Sequence, residues 1–210
     1  MNIMMLLEMA SSGFGDRVAL GDRTTGLTYT QLFDRVGRAA TTFATSGADH
    51  VVLAGESSPA LPIALFGSSW VGRPFVPLNY RLDSATLVSL AERAAPSYAV
   101  CDLVQEALLA PIDGVQTIGR QTFLDQLDSH EPAAPEWGFD GEDTAILLFT
   151  SGTTGEPKAA VLRQKHLVSY ILTSVEFMGA GEDEATLVSV PPYHVAGIAA
   201  MLSSIYAGRR

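Results

Sequence analysis

The sequence predicts a layered α/β fold built mostly on parallel strands. Two observations carry that expectation. Apolar runs of strand length alternate along the chain with longer segments of helical periodicity, the pattern of successive βαβ units. Hydrophobic residues fill 47% of the 210 positions, enough for a sizeable core.

The elements follow in order. Residues 3–12 read as a short helix, and residues 18–21 and 27–29 as a hairpin across 22–26. Residues 29–45 carry apolar side chains at Leu32, Phe33, Val36, Ala40 and Phe43, a helical stripe that ends at Gly47. Thr28 and Gln31 stand at capping-box spacing at its start. Residues 51–54 form a strand, 59–70 a largely buried helix, and 75–78 another strand. Residues 84–94 form a helix with Ser84 as the expected N-cap. Strands over 98–101 and 115–118 flank a short helix. Residues 129–143 are rich in Pro, Gly and acid and read as a loop between halves of one fold. Beyond it come strands over 145–149 and 159–162, a helix around 165–178, and a strand over 186–190.

The chemistry concentrates after residue 149. An apolar strand opens into Thr150-Ser151-Gly152-Thr153-Thr154-Gly155-Glu156-Pro157-Lys158. Glycines allow a tight turn and close backbone approach to a ligand. Successive N–H groups in such a turn favour anions, the hydroxyls of Thr150, Ser151, Thr153 and Thr154 add donors, and Lys158 adds a mobile cation. Lysine is scarce here: of 13 basic residues only Lys158 and Lys165 are lysine. The string is not a Walker A loop, because Gly152 lacks the glycine–lysine pair at the required offset. Composition alone leaves a polar surface loop as the alternative.

The nine residues from Thr150 to Lys158 resemble the phosphate-binding signature of the adenylate-forming superfamily, which includes acyl-CoA synthetases, adenylation domains of peptide synthetases and luciferases. Other landmarks stand in the same order as in that superfamily. Leu27-Thr28-Tyr29-Thr30-Gln31-Leu32 resembles its first core motif. Pro74-Phe75-Val76-Pro77-Leu78-Asn79-Tyr80-Arg81-Leu82 resembles its next landmark, in the acyl-CoA synthetase form. Pro191-Pro192-Tyr193-His194-Val195-Ala196-Gly197 is similar to the segment that gates the acyl pocket.

The resemblance implies an αβαβα arrangement, part of the large N-terminal domain of acyl-CoA synthetases, with residues 1–128 as a first α/β portion, 129–143 a loop, and 144–210 the phosphate-loop portion. It implies activation of a fatty or aromatic carboxylic acid by ATP to an acyl-adenylate, then transfer to coenzyme A. The alternatives are an acyl-AMP ligase that loads a carrier protein, and a non-catalytic nucleotide- or partner-binding remnant. Ser151, Gly152, Thr153, Thr154, Gly155 and Lys158 would hold the β- and γ-phosphates. Thr150 offers an oxygen for magnesium, with a plain strand-end hydroxyl as the alternative. Lys158 and His194 are the expected catalytic residues, and Tyr193, His194, Ala196 and Gly197 the expected acyl gate. Gln164 and His166 depart from the family, which more often shows His and Asn there. The adenine, ribose and hinge motifs and the C-terminal adenylation lysine do not occur in these 210 residues. The expectation is therefore an incomplete domain without the C-terminal one, inactive alone and prone to self-association through an unpaired sheet edge, with a homodimer as the other association expected.

Composition excludes several classes. A net charge of −10 argues against nucleic acid, whose phosphates require a basic face. A single cysteine, Cys101, rules out an internal disulfide and suits a cytoplasmic location; its expected role is core packing, with a nucleophile as the alternative. The apolar start has no basic n-region and is interrupted by Glu8, and no later segment approaches a membrane span. His50 and His130 stand without metal-ligand spacing.

Overall fold

A computed structural model describes residues 1–150 and 157–210. Helix α1 (Met4–Phe14) leads into a two-stranded antiparallel ribbon of β1 (Val18–Leu20) and β2 (Leu27–Thr28). Then follow α2 (Tyr29–Thr45), β3 (His50–Ala54), α3 (Ala60–Trp70), β4 (Phe75–Pro77), α4 (Ser84–Arg93), β5 (Ser97–Cys101), α5 (Leu103–Leu109), β6 (Val115–Gly119) and α6 (Arg120–Gln126). After a long connection come β7 (Thr144–Thr150), β8 (Lys158–Arg163), α7 (Gln164–Ser174) and α8 (Val195–Ala207). Among the described residues six strands form one sheet in the order β6-β5-β3-β4-β7-β8. Neighbours are parallel except β7 and β8, which are antiparallel. The α/β class and the mostly parallel sheet are those the sequence predicts.

Successive side chains of a strand point to opposite faces, and a parallel sheet is covered on both. Val51, Leu53, Phe75, Val100, Ile146 and Leu148 enter one core with α1, α2, α3, α7 and α8. Val52, Ala54, Val76, Leu78, Ala99 and Cys101 enter the other, against Leu87, Leu90 and Ala91 of α4 and Leu109 of α5. This is why the strands read as continuous apolar runs. Every residue of α3 is buried, so this helix shows no polar face.

Helix α2 starts as its spacing predicts. Thr28 Oγ1 accepts the Gln31 N–H at 3.2 Å, and Gln31 Oε1 accepts the Thr28 N–H at 2.9 Å. The connection after α6 is fastened to α2 and α3: the Ala133 N–H donates to Gly37 O at 3.0 Å, and Trp70 Nε1 donates to Ala134 O at 2.9 Å. Gln164, 2% exposed, accepts the Ile3 N–H at 2.9 Å and donates to Ser69 Oγ at 3.2 Å, while Asn2 Nδ2 donates to Ser69 O at 3.2 Å. This buried network joins α1, α3 and α7. His166 Nδ1 accepts the Arg163 N–H at 3.2 Å and closes the start of α7.

Three expectations need correction, and one helix is an addition to them. The N-cap of α4 is Asp83, not Ser84: its carboxylate accepts the Thr86 N–H at 3.0 Å and the Thr86 hydroxyl at 2.7 Å. Helix α7 stops at Ser174, short of residue 178, because Val175 is extended and Met178 takes a left-handed φ of 60° in a turn closed by the Gly179 N–H on Glu176 O. Residues 186–190 are not a strand; the Thr186 N–H bonds Arg210 O at 2.8 Å, Leu187 is 88% exposed, and no described strand pairs with them. Helix α6 was not expected, since Phe123 is its one buried residue and leaves no apolar stripe to read.

The cap correction can be measured. The Thr86 N–H and hydroxyl hold the Asp83 carboxyl below the usual carboxylate range. A lowered folded pKa stabilises above the unfolded pKa, and that contribution is lost as pH falls through the folded one. Urea unfolding followed by tryptophan fluorescence should find Asp83→Ala less stable than wild type at neutral pH and Ser84→Ala unchanged. The Asp83→Ala deficit should shrink as acid protonates Asp83 in wild type.

Candidate nucleotide site

Strand β7 runs parallel to β4 through the pair Phe75↔Ile146 and ends in Thr150 at the carboxyl edge of the parallel strands. Open α/β sheets bind ligands along that edge. The chain returns as β8, and the antiparallel register sets Thr150 opposite Lys158. Thr150 Oγ1 donates to Lys158 O at 3.3 Å. Both residues are exposed. The expected phosphate-binding residues Ser151, Gly152, Thr153, Thr154 and Gly155 lie outside the described residues.

The sequence reading passes over Arg93, in the last turn of α4. Its Nη1 donates to Pro157 O at 2.8 Å, and its guanidinium carbon lies 4.9 Å from the centre of the Phe149 ring. A basic residue in a last turn is the only sequence signal, and it points to the helix dipole instead.

The expected gate residues begin α8. The His194 N–H donates to Pro191 O at 3.0 Å, and His194 O accepts the Gly197 N–H at 3.0 Å, so the Pro-Pro-Tyr-His segment turns directly into the helix. Gly197 is there for space. A Cβ on it would stand 2.7 Å from Val190 O and 2.9 Å from Pro191 O. Tyr193 is 9% exposed, with its ring centre 5.6 Å from that of Tyr80, edge to face, and 4.7 Å from that of His194. Tyr80 follows β4, and Gln105 Nε2 holds its carbonyl at 3.2 Å. Tyr193 and His194 are thus linked to β4, the strand beside β7. His194 and Ala196 are exposed, and the imidazole makes no cap bond to α8.

Other candidates resolve more simply. Burial pushes the Cys101 thiol up to about 12, with Glu106 and Asp102 adding repulsion, so it is an inert core residue. Among the described residues no group of three or more His, Cys, Asp or Glu could hold a metal. Magnesium needs several hard oxygens. Among the described residues Thr150 Oγ1 is a single neutral oxygen of that kind, and a magnesium ion there would need the nucleotide's phosphate oxygens as well. No described helix is long and apolar enough to cross a membrane. An open, largely apolar cavity of about 490 Å³ lies between residues 19–21, 57–62 and 185–188, with Met201 of α8 in its wall. None of the residues singled out by the sequence lines it.

With that geometry in place, comparison with known proteins is decisive. The profile of the AMP-binding enzyme family matches residues 7–210. The chain belongs to that family. It is 29% identical over 184 residues to a feruloyl-CoA synthase from Amycolatopsis sp, covering 83% of this chain and 36% of that protein. It is 29% identical over 191 residues to an indoleacetate–CoA ligase from Aromatoleum aromaticum, covering 82% of this chain and 37% of that protein. The structure of ATP-bound MatB from Rhodopseudomonas palustris matches all of this chain and 44% of its own, with a TM-score of 0.80 and 27% identity. The chain therefore spans little more than a third of the curated relatives' length.

The tight start of α8 gives a prediction. Gly197→Ala forces the helix away from Val190 and Pro191, an overpacking that costs about 1–3 kcal/mol. Chemical denaturation should show that loss. Wild-type stability in the variant would mean that the close approach carries no constraint.

Proposed function

We propose that the whole protein activates a carboxylic acid with ATP and passes the acyl group to coenzyme A. The acid's carboxylate oxygen bonds to the α-phosphorus, and the bond to the bridging oxygen of the β-phosphate breaks, giving acyl-AMP and pyrophosphate. A thiolate then bonds to the acyl carbon and AMP departs. Chemistry of this kind depends mainly on positioning and charge stabilisation. The observation that carries the proposal is the Thr150–Lys158 pairing at the carboxyl edge of the parallel sheet, in a chain of the AMP-binding enzyme family.

In this reading the hydroxyl- and glycine-rich residues 151–155 and the Lys158 ammonium hold the β- and γ-phosphates. Magnesium arrives on the nucleotide's own phosphate oxygens. His194, exposed at the start of α8, lines the approach of the thiol. Tyr193, locked between Tyr80 and His194, keeps that imidazole in place, and Ala196 and Gly197 set the first turn of the helix beside the acyl group. Coenzyme A is preferred over a carrier protein because Pro77–Leu82 has the acyl-CoA synthetase form. The names of the two relatives make ferulate and indoleacetate the first acids to try.

Acid-dependent ATP–pyrophosphate exchange by the whole protein tests the reading. Lys158→Ala should raise KM for ATP roughly 10- to 150-fold, the equivalent of losing charge-assisted contacts of about 1.5–3 kcal/mol. KM for the acid should stay close to wild type. Absence of exchange with any acid would leave a non-catalytic nucleotide- or partner-binding remnant instead.

The thiol step is separable. His194→Ala should slow thioester formation while exchange continues near the wild-type rate. Equal losses in both half-reactions would make His194 a packing residue.

A further inference from the structure

We propose that Arg93 is a positioning residue for adenylation, clamping α4 to Phe149 near the end of β7 and to Pro157 just before β8. The proposal rests on the adenylation reading above, and deepens it by adding a residue that never meets the nucleotide.

The geometry is that of one planar group with two different grips. Phe149, the penultimate residue of β7, packs against the second core, on the face that α4 covers. Arg93 in the last turn of α4 lays its guanidinium over that ring at 4.9 Å, within reach of a cation–π contact. Its Nη1 donates to the carbonyl of Pro157 at 2.8 Å, one residue before β8 begins. Phe149 is paired with Ala159, and Thr150 with Lys158. A single side chain thus bridges the outgoing strand, the returning strand and a helix anchored in the core by Leu87, Leu90 and Ala91.

The two grips require arginine. A guanidinium stacks through its face while its N–H groups donate in the plane, whereas an ammonium is a point charge that does one at a time. Packing of α4 does not need the contact, because Arg93 is exposed and the apolar residues of the helix are already buried. What the contact fixes is the separation and tilt of the two strand ends. A polyphosphate held by residues between those ends gains from their being set in advance, since ordering them on binding costs affinity.

Arg93→Ala and Arg93→Lys in the whole protein test this, with exchange measured against ATP and acid in turn. Arg93→Ala should raise KM for ATP about 5- to 30-fold, the loss of one hydrogen bond and one cation–π contact. KM for the acid should stay within about twofold, because the acid lies outside the clamp. Arg93→Lys should recover only part of the loss. A fall in kcat with both KM values unchanged would signal a loss of folded protein and overturn the proposal, as would wild-type kinetics in Arg93→Ala. A second measurement needs no activity: trypsin should cut after Lys158 faster in Arg93→Ala than in wild type, and equal rates overturn the clamp. Wild-type protein without exchange would refute the adenylation reading, and the cleavage rates would then decide for or against the clamp.

Discussion

Six antiparallel residue pairs, from Thr144↔Arg163 to Thr150↔Lys158, join β7 to β8 and set Thr150 opposite Lys158, the pair on which the phosphate end of the site depends. A slip of one residue would turn every side chain of β8 to the other face and part Thr150 from Lys158. The register is held from within the sheet, where β7 is bound to β4 and contributes Ile146 and Leu148 to the larger core. It is held from outside by the Arg93 clamp on Phe149 and Pro157. Edge strand β8 itself is mostly exposed, so it adds little apolar burial of its own.

The same sheet explains how two distant segments meet. β4 is short and fully buried, and its exit carries Leu78 into the smaller core and Tyr80 toward Tyr193. Helix α8, which follows Tyr193 and His194, belongs to the larger core through Ile198, Leu202 and Ile205. Tyr29 binds the far end of that helix, its phenol donating to Arg209 O at 2.7 Å, and burial raises its pKa above the ordinary phenol value. The start of α8 is therefore fixed by close backbone packing at Gly197 and its end by a buried hydroxyl.

What the sequence reveals follows the range of the forces involved. Helix α2 is legible to the residue because Thr28 and Gln31 exchange their bonds within one turn. Asp83 and Ser84 are adjacent and both suit a cap, and only the backbone decides between them. Residues 186–190 have strand-like composition, but a strand needs a partner, and Thr186 instead bonds the backbone of Arg210. Within the candidate site, the chemical character of the hydroxyl-rich string can be read directly. The Tyr80–Tyr193 contact and the Arg93 bond, whose partner is 64 residues away, cannot. Gln164 and His166 both serve the fold, one in a buried network and one at the start of α7.

The central claim is that a carboxylate oxygen is delivered to the α-phosphorus of ATP at the edge formed by β4, β7 and β8. Isotope transfer measures this directly. An acid labelled with ¹⁸O in its carboxyl group is incubated with ATP, coenzyme A and the whole protein, and the nucleotide product is read by mass spectrometry. The account predicts AMP carrying one ¹⁸O atom from the acid, together with unlabelled pyrophosphate. Label in inorganic phosphate with ADP as the nucleotide product would place the attack at the γ-phosphorus and contradict it.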